Sequence, residues 1–349
     1  MARCKVWALL ALASCAAPTR RECELEPPQV VARSSGLAFD GVAVAGHTYA
    51  WSDDSGLYVQ GDARVRLGAR CRGGIDAATF HGEVIVACSR PAADGGEVVV
   101  YRAGVPTLAG NAGRDGHGVA LAVLKDEIYL AFHEGALGDH AIWLAKLGTA
   151  PTRISHEGAA AREPSLVAHQ GHLYAAFAEL KLQGPPASTL FVSRDGSHAK
   201  QIVNPRAFSP TPKLTTDARG LVLGYRDRDR DGARAELRVV RLNQDGQLAG
   251  TPSVVGRAND AGEPNLYGCG DLIAALLPRE YGGERYVGIH PLDDALSALG
   301  SGHQLYESGR DFVLASGSCD AHGLQLFAAD RAAPSKPGVE AIALRFTCQ

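Results

Sequence analysis

Apolar residues in this chain alternate with polar ones or gather in short blocks bounded by Gly, Pro, Asp and Asn. That is the period of strands, and segments with the spacing of a long amphipathic helix are nearly absent. One unit is easily followed. Glu163-Pro164-Ser165-Leu166-Val167 leads to a turn at Gln170-Gly171, and Leu173-Tyr174-Ala175-Ala176-Phe177 forms a second strand that ends at Glu179. After a polar loop, Thr189-Leu190-Phe191-Val192 makes a third strand, Asp195-Gly196 a turn, and Lys200-Gln201-Ile202-Val203 a fourth. The next unit repeats this order, with Leu221 to Tyr225 as second strand, Leu237 to Leu242 as third and Ser253 to Val255 as fourth.

The same second-strand slot is filled by Thr48 to Trp51, Val84 to Cys88, Ile128 to Phe132, Leu272 to Leu277 and Leu324 to Phe327, seven in all. They recur about every 35 to 50 residues, and four short strands at that period predict a β-propeller, an all-β fold of seven blades with four antiparallel strands each. Radial closure also leaves no long unpaired sheet edge. Six or eight blades fit the degenerate ends of the pattern, and a pair of β-sandwich domains is the rival architecture, although sandwiches do not require one motif along the whole chain.

Composition narrows the function classes. A formal charge of −3 over 349 residues supplies no basic footprint for nucleic acid and no acidic excess of the kind that keeps chains unfolded. The 46% hydrophobic content supports a core, and 41 Gly with 18 Pro supply many turns.

The N-terminus has Arg3 and Lys5, an apolar run from Val6 to Ala13, and then Leu12-Ala13-Ser14-Cys15. The run is far shorter than the ~20 residues of a membrane span, but suits a cleaved export signal. Its end resembles the lipobox of bacterial lipoproteins. The resemblance implies a signal peptide over 1–14, acyl chains including palmitate on Cys15, and a tether over 15–30 before a single propeller domain over 31–349. Ala16 after the cysteine implies the outer membrane by the sorting rule of enteric-type bacteria. Ordinary secretion, with cleavage after Ala13 or Ala17, is the alternative. The repeats themselves resemble the loosely patterned propellers of bacterial envelope lipoproteins.

Of eight cysteines, Cys4 leaves with the signal and Cys15 takes lipid, leaving six in an exported chain, which reads as disulfides. Zinc is the rival reading, and no C-x-x-C pair supports it. Strand positions suggest the pairing. Cys71 and Cys88 approach when their hairpin folds about His81-Gly82. Cys269 and Cys319 lie at first-to-second-strand turns of adjacent blades. Cys23 and Cys348 remain, and a closed ring brings the two chain ends together.

Candidate chemistry is sparse. Asp227-Arg228-Asp229-Arg230-Asp231-Gly232 sets carboxylates at alternate positions before a glycine, a pattern able to wrap Ca²⁺ through Asp227, Asp229 and Asp231. Self-pairing with the interleaved arginines is its rival. Ser193-Arg194-Asp195-Gly196-Ser197 is similar to the Asp-box turn of sialidase-like propellers, a folding element, but lacks its final Gly. Ser52-Asp53-Asp54-Ser55-Gly56 has the letters at a different turn. No Arg-Ile-Pro segment of sialidase type occurs. Charged residues end the second strands (Asp53, Glu134, Glu179, Asp227, Arg279, Asp330), and arginines stand at the blade entrances (Arg33, Arg72, Arg114, Arg162, Arg206, Arg257, Arg310). They read either as intrablade ion pairs such as Arg162 with Glu179, or as a charged mouth for an anionic or sugar ligand. His117, His133 and His140 share one blade and read as exposed loop histidines. No H-E-x-x-H, G-x-S-x-G or P-loop motif is present. The leading expectation is a membrane-anchored, non-enzymatic binding or scaffold module with a protein or glycan ligand at one propeller face. The alternative is a carbohydrate-active hydrolase or lyase with its site in the axial pocket.

Overall fold

The computed structural model describes residues 23–35, 39–93, 95–136, 140–181, 187–207, 210–228, 235–258, 263–281, 284–300, 302–305, 312–320, 323–330 and 338–348. Seven antiparallel sheets follow one another in chain order, and no helix occurs among the described residues. The fold is a seven-bladed β-propeller with four strands to a blade. Blade 1 spans Gly41 to Gly68, blade 2 Arg72 to Leu108, blade 3 Gly116 to Arg153, blade 4 Ala160 to Val203, blade 5 Lys213 to Ala258 and blade 6 Asn265 to Leu305. All seven second strands predicted above occupy that position. We call the face where first strands begin and second strands end the upper face; the first-to-second-strand turns form the lower one.

Blade 7 closes the ring. Its inner three strands are Phe312–Asp320, Gly323–Asp330 and Val339–Cys348. Its outer position is filled from the other end of the chain by Cys23–Leu25 and Gln29–Ser34, both antiparallel to Val339–Cys348. Residues 23–30, expected as tether, are therefore largely sheet. The last blade would otherwise expose an unpaired edge, and the break between the two outer segments falls at Pro27 and Pro28, which have no N–H to give the ladder. Three disulfides join Cys23–Cys348, Cys71–Cys88 and Cys269–Cys319, with Cα separations of 4.0, 5.9 and 5.0 Å. These are the pairs reached above from strand positions. Cys88 sits within its strand, Glu83–Ala92, rather than at its end.

The core consists of interblade slabs. In Leu173 to Ala178, Leu173, Ala175 and Phe177 pack toward blade 3, while Tyr174, Ala176 and Ala178 pack toward blade 5. Successive side chains point to opposite faces of a strand, and here both faces are covered. Second strands therefore read as unbroken apolar runs instead of alternating ones. One such cluster fills each of the seven interfaces, including that between blades 7 and 1. Blades 5 and 6 approach so closely at the axis that a Cβ added to Gly268 would lie 1.6 Å from the Thr216 carbonyl oxygen.

Side chains also clasp one inner strand to the next. Asp76 accepts from the Leu121 N–H at 2.8 Å, Ser165 from Leu214 at 2.8 Å, Thr215 from Gly268 at 2.8 Å and Ser318 from Gly46 at 3.2 Å. The Asn265 amide donates to the Ala315 carbonyl at 3.1 Å. Backbone groups that face the axis thereby find partners across the gap between blades.

Candidate binding site in the axial channel

The acids at the upper ends of the second strands serve as latches. Glu134, 1% exposed, accepts from the Asn111 N–H at 2.7 Å and from its side-chain amide. Glu179 accepts from the His156 N–H at 2.8 Å and contacts the imidazole Nδ1 at 2.9 Å. Asp227 accepts from the Arg206 N–H at 2.7 Å. In three successive blades the carboxylate thus holds the segment that enters its own blade. Burial pushes the Glu134 carboxyl up, and its bonds to Asn111 oppose that rise.

Several arginines of this face are paired with carboxylates. Arg33 meets Glu340 at 2.9 Å, Arg70 meets Asp40 and Asp54, Arg90 meets Glu97 at 2.8 Å, and Arg162 lies 3.6 Å from Glu163. Glu179 engages His156 where the sequence suggested Arg162. The first three of these pairs involve exposed or half-exposed groups, which contribute only ~0–1 kcal/mol each.

Of the alternating carboxylates, Asp229 and Asp231 lie outside the described residues, as does Cys15. Asp227 is 8% exposed; besides Arg206 it accepts from the Arg228 N–H at 2.8 Å, and Arg238 lies 3.1 Å from its other oxygen. Both carboxylate oxygens are engaged within the protein. The turn at Asp195 behaves as an Asp box does. Its carboxylate accepts from the Leu173 N–H at 2.8 Å and meets His172 at 2.6 Å, tying the turn to the second strand.

The three histidines of blade 3 are a correction. His117 and His133 are register partners on its first and second strands, and the His133 ring stands 5.7 Å from His117 and 5.0 Å from His140. They form a row at the upper end of the sheet because antiparallel pairing brings His117 opposite His133. Burial, reinforced by His140, His117 and Arg162, holds His133 down to about 3. Among the described residues no group of three or more His, Cys, Asp or Glu side chains is arranged to hold a metal ion.

The axial channel forms a concavity of about 560 Å³, lined by inner-strand residues of all seven blades. Sites for small molecules usually enclose ~300–1,000 Å³. Apolar surface comes from Val42, Leu121 and Phe312; polar groups come from Ser165, Thr215, Asn265 and Ser316. Among the described residues four titratable groups face it: Asp76, Lys213, Glu263 and Tyr267. Lys213 and Glu263 pair at 3.4 Å. Desolvation raises the Asp76 carboxyl to about 6 despite N–H bonds from Leu121 and Ala77. Desolvation likewise lifts Tyr267 to about 12, although Ser316 and the Gly317 N–H bond its phenolic oxygen. Near the upper face the inner strands of blades 2, 3, 4 and 7 break register, between Arg72 and Ile75, His117 and Ala120, Arg162 and Ser165, and Phe312 and Leu314. Bulges of this sort bend a strand locally and often border functional sites.

Sequence reasoning passed over Asp76 and Tyr267. Their one legible signal is a polar group inside an inner strand, as in Gly74-Ile75-Asp76-Ala77-Ala78; Lys213 of blade 5 and Asn265 of blade 6 hold the same register position as Asp76.

No protein-family model matches the chain, and no curated protein matches it. Solved structures do share its fold. The Trypanosoma rangeli sialidase superposes with a TM-score of 0.52 at 9% identity, covering 90% of this chain and 59% of that one. The same enzyme in complex with sialic acid gives 0.50 at 9% identity over 87% and 59%. An α-L-arabinofuranosidase from Lactobacillus brevis gives 0.42 at 12% identity over 66% and 90%. This chain thus covers less than two thirds of the sialidase, and the likeness establishes the propeller fold alone.

Proposed function

We propose that this protein is a lipid-anchored envelope propeller that binds a small, hydroxyl-rich ligand such as a sugar residue in its axial channel. The observation that carries the reading is the convergence of Asp76, Lys213, Glu263 and Tyr267 on one cavity of about 560 Å³ whose walls also present apolar patches. A sugar ring offers hydroxyl groups at its edge and C–H surface on its faces, which suits such a lining. The latched acids and paired arginines of the upper face leave the channel as the better place for a ligand. Titration of the purified protein with a panel of neutral and acidic mono- and disaccharides, followed by thermal shift, tests this. A native-state ligand raises the melting temperature, and Lys213→Ala is expected to diminish the shift. Absence of any shift across the panel at millimolar sugar contradicts the reading.

Glycoside hydrolysis is the second reading, favoured by one observation. An Asp76 carboxyl at about 6 lies where a general acid works well near neutral pH, and Glu263 supplies a second carboxyl on the same cavity, as most glycosidases require. The sialidase of like fold has been solved with sialic acid bound. Among the described residues no arginine lines this channel, so a sugar carboxylate would have Lys213 as its cation. Binding takes precedence because both Asp76 oxygens already accept backbone N–H groups. A panel of fluorogenic glycosides with wild type and Asp76→Asn decides it: turnover that disappears in the variant establishes hydrolysis.

A further inference from the structure

The place where the N-terminal strand joins the ring fixes how an anchored propeller stands on its membrane. Cys23 is the register partner of Cys348, at the lower end of the last strand of blade 7. From there the outer segments run upward to Ser34, opposite Val339. The N-terminal chain therefore leaves the propeller from the lower face, opposite the end at which Glu134, Glu179 and Asp227 latch the blade entrances.

Lengths decide the orientation. Seven residues, 16–22, separate Cys15 from Cys23, and the eight steps from one cysteine to the other span at most about 26–29 Å when fully extended. The ten-residue strand Val339–Cys348 rises about 30 Å between the two faces. For the upper face to meet the bilayer, the tether would have to stretch beyond its limit along the full height of blade 7. With the lower face toward the membrane, it needs only a fraction of its reach.

The lower rim of blade 7 is also built to take the attachment. Cys23–Cys348 joins the first described residue to the end of the last strand, and Cys269–Cys319 staples the same end of blade 7 to blade 6. All four cysteines pack against one apolar cluster shared by those blades. Pulling on the N-terminal chain thus loads covalent cross-links before it can peel Cys23–Leu25 from the sheet.

We infer that the lower rim at Cys23–Cys348 is the membrane-proximal surface, its partner being the lipid bilayer, and that the upper end of the axial channel is held away from the lipid. This rests on the lipid attachment at Cys15 proposed above. The test uses full-length lipidated protein on phosphatidylcholine vesicles that carry a headgroup quencher. A genetically encoded fluorophore replaces either Asp62, in the lower turn of blade 1, or Ser55, in its upper turn, so that the native disulfides are left alone. Flotation is read first. Protein that does not float with vesicles overturns the anchor reading, and the orientation with it. If it floats, loss of emission at position 62 with none at position 55 is expected, and a tether lengthened by a Gly-Ser insert after Ala16 should erase the difference. Equal quenching of the two positions, or stronger quenching at 55, overturns the orientation while leaving the anchor standing.

Discussion

Cys23 and Cys348 face each other across the outer strands of blade 7, their Cα atoms 4.0 Å apart although 325 positions separate them in sequence. The bridge converts ring closure by sheet pairing into closure by a covalent bond. In the chain-entropy account a cross-link over so long a segment stabilises by up to about 5 kcal/mol. Paired Cys23→Ala and Cys348→Ala substitution is expected to lower the denaturant midpoint markedly, and equilibrium unfolding measures it. Cys71→Ala with Cys88→Ala, which removes a link between positions only 17 apart in sequence, should cost less in the same experiment, since the entropic gain grows with loop length.

Glu134 is buried and holds the Asn111 N–H. Leaving a buried donor without its acceptor costs about 1–3 kcal/mol. Glu134→Ala should lose that much by urea denaturation. Glu179→Ala should lose less, because its partner His156 has a side chain 54% exposed and open to water.

Gly268 occupies a position where any side chain collides with the neighbouring blade's backbone. Overpacking of this kind typically costs about 1–3 kcal/mol and sometimes more. Gly268→Ala is expected to unfold at a lower temperature, whereas Gly270→Ala, whose added Cβ meets nothing within 4 Å, should suffer only from its left-handed φ of 66°.

Buried histidines and a buried carboxyl make opposing contributions to acid stability. His133 and His290 stay neutral in the fold down to about 3 and about 4, chiefly through burial. Below the ordinary histidine value of 6.5 the unfolded chain therefore binds protons that the fold does not, and stability falls as pH drops. Asp76 acts the other way. Its folded carboxyl holds a proton up to about 6 against 3.8 unfolded, so it adds stability as pH falls through that window. Asp76→Asn should steepen the loss of melting temperature between pH 6 and 4, and His290→Gln should flatten it. Melting curves across that range check both signs.

Much of the architecture was legible in the sequence because a propeller repeats its unit. Runs such as Leu173 to Phe177 are apolar on both faces, and their recurrence gave blade number and strand order together. The outer strand of blade 7 was hidden, since Cys23 to Val30 reads as part of a polar tether until Val339–Cys348 is seen to need a partner. The latches were visible as a recurring acid, but not their partners, because the N–H groups of Asn111, His156 and Arg206 carry no sequence signal. The channel was the least legible part. Asp76 and Tyr267 come from blades 2 and 6, nearly two hundred positions apart, and only ring closure sets them on one cavity.

Calorimetric titration of the disulfide-intact protein with the saccharide that gives the largest thermal shift decides whether a ligand occupies the axial channel. One saturable site per chain is expected, weakened by Lys213→Ala and by Tyr267→Phe and unchanged by Arg33→Ala at the blade 7 rim. Binding that persists in both channel variants, or that is lost on changing Arg33, would contradict it.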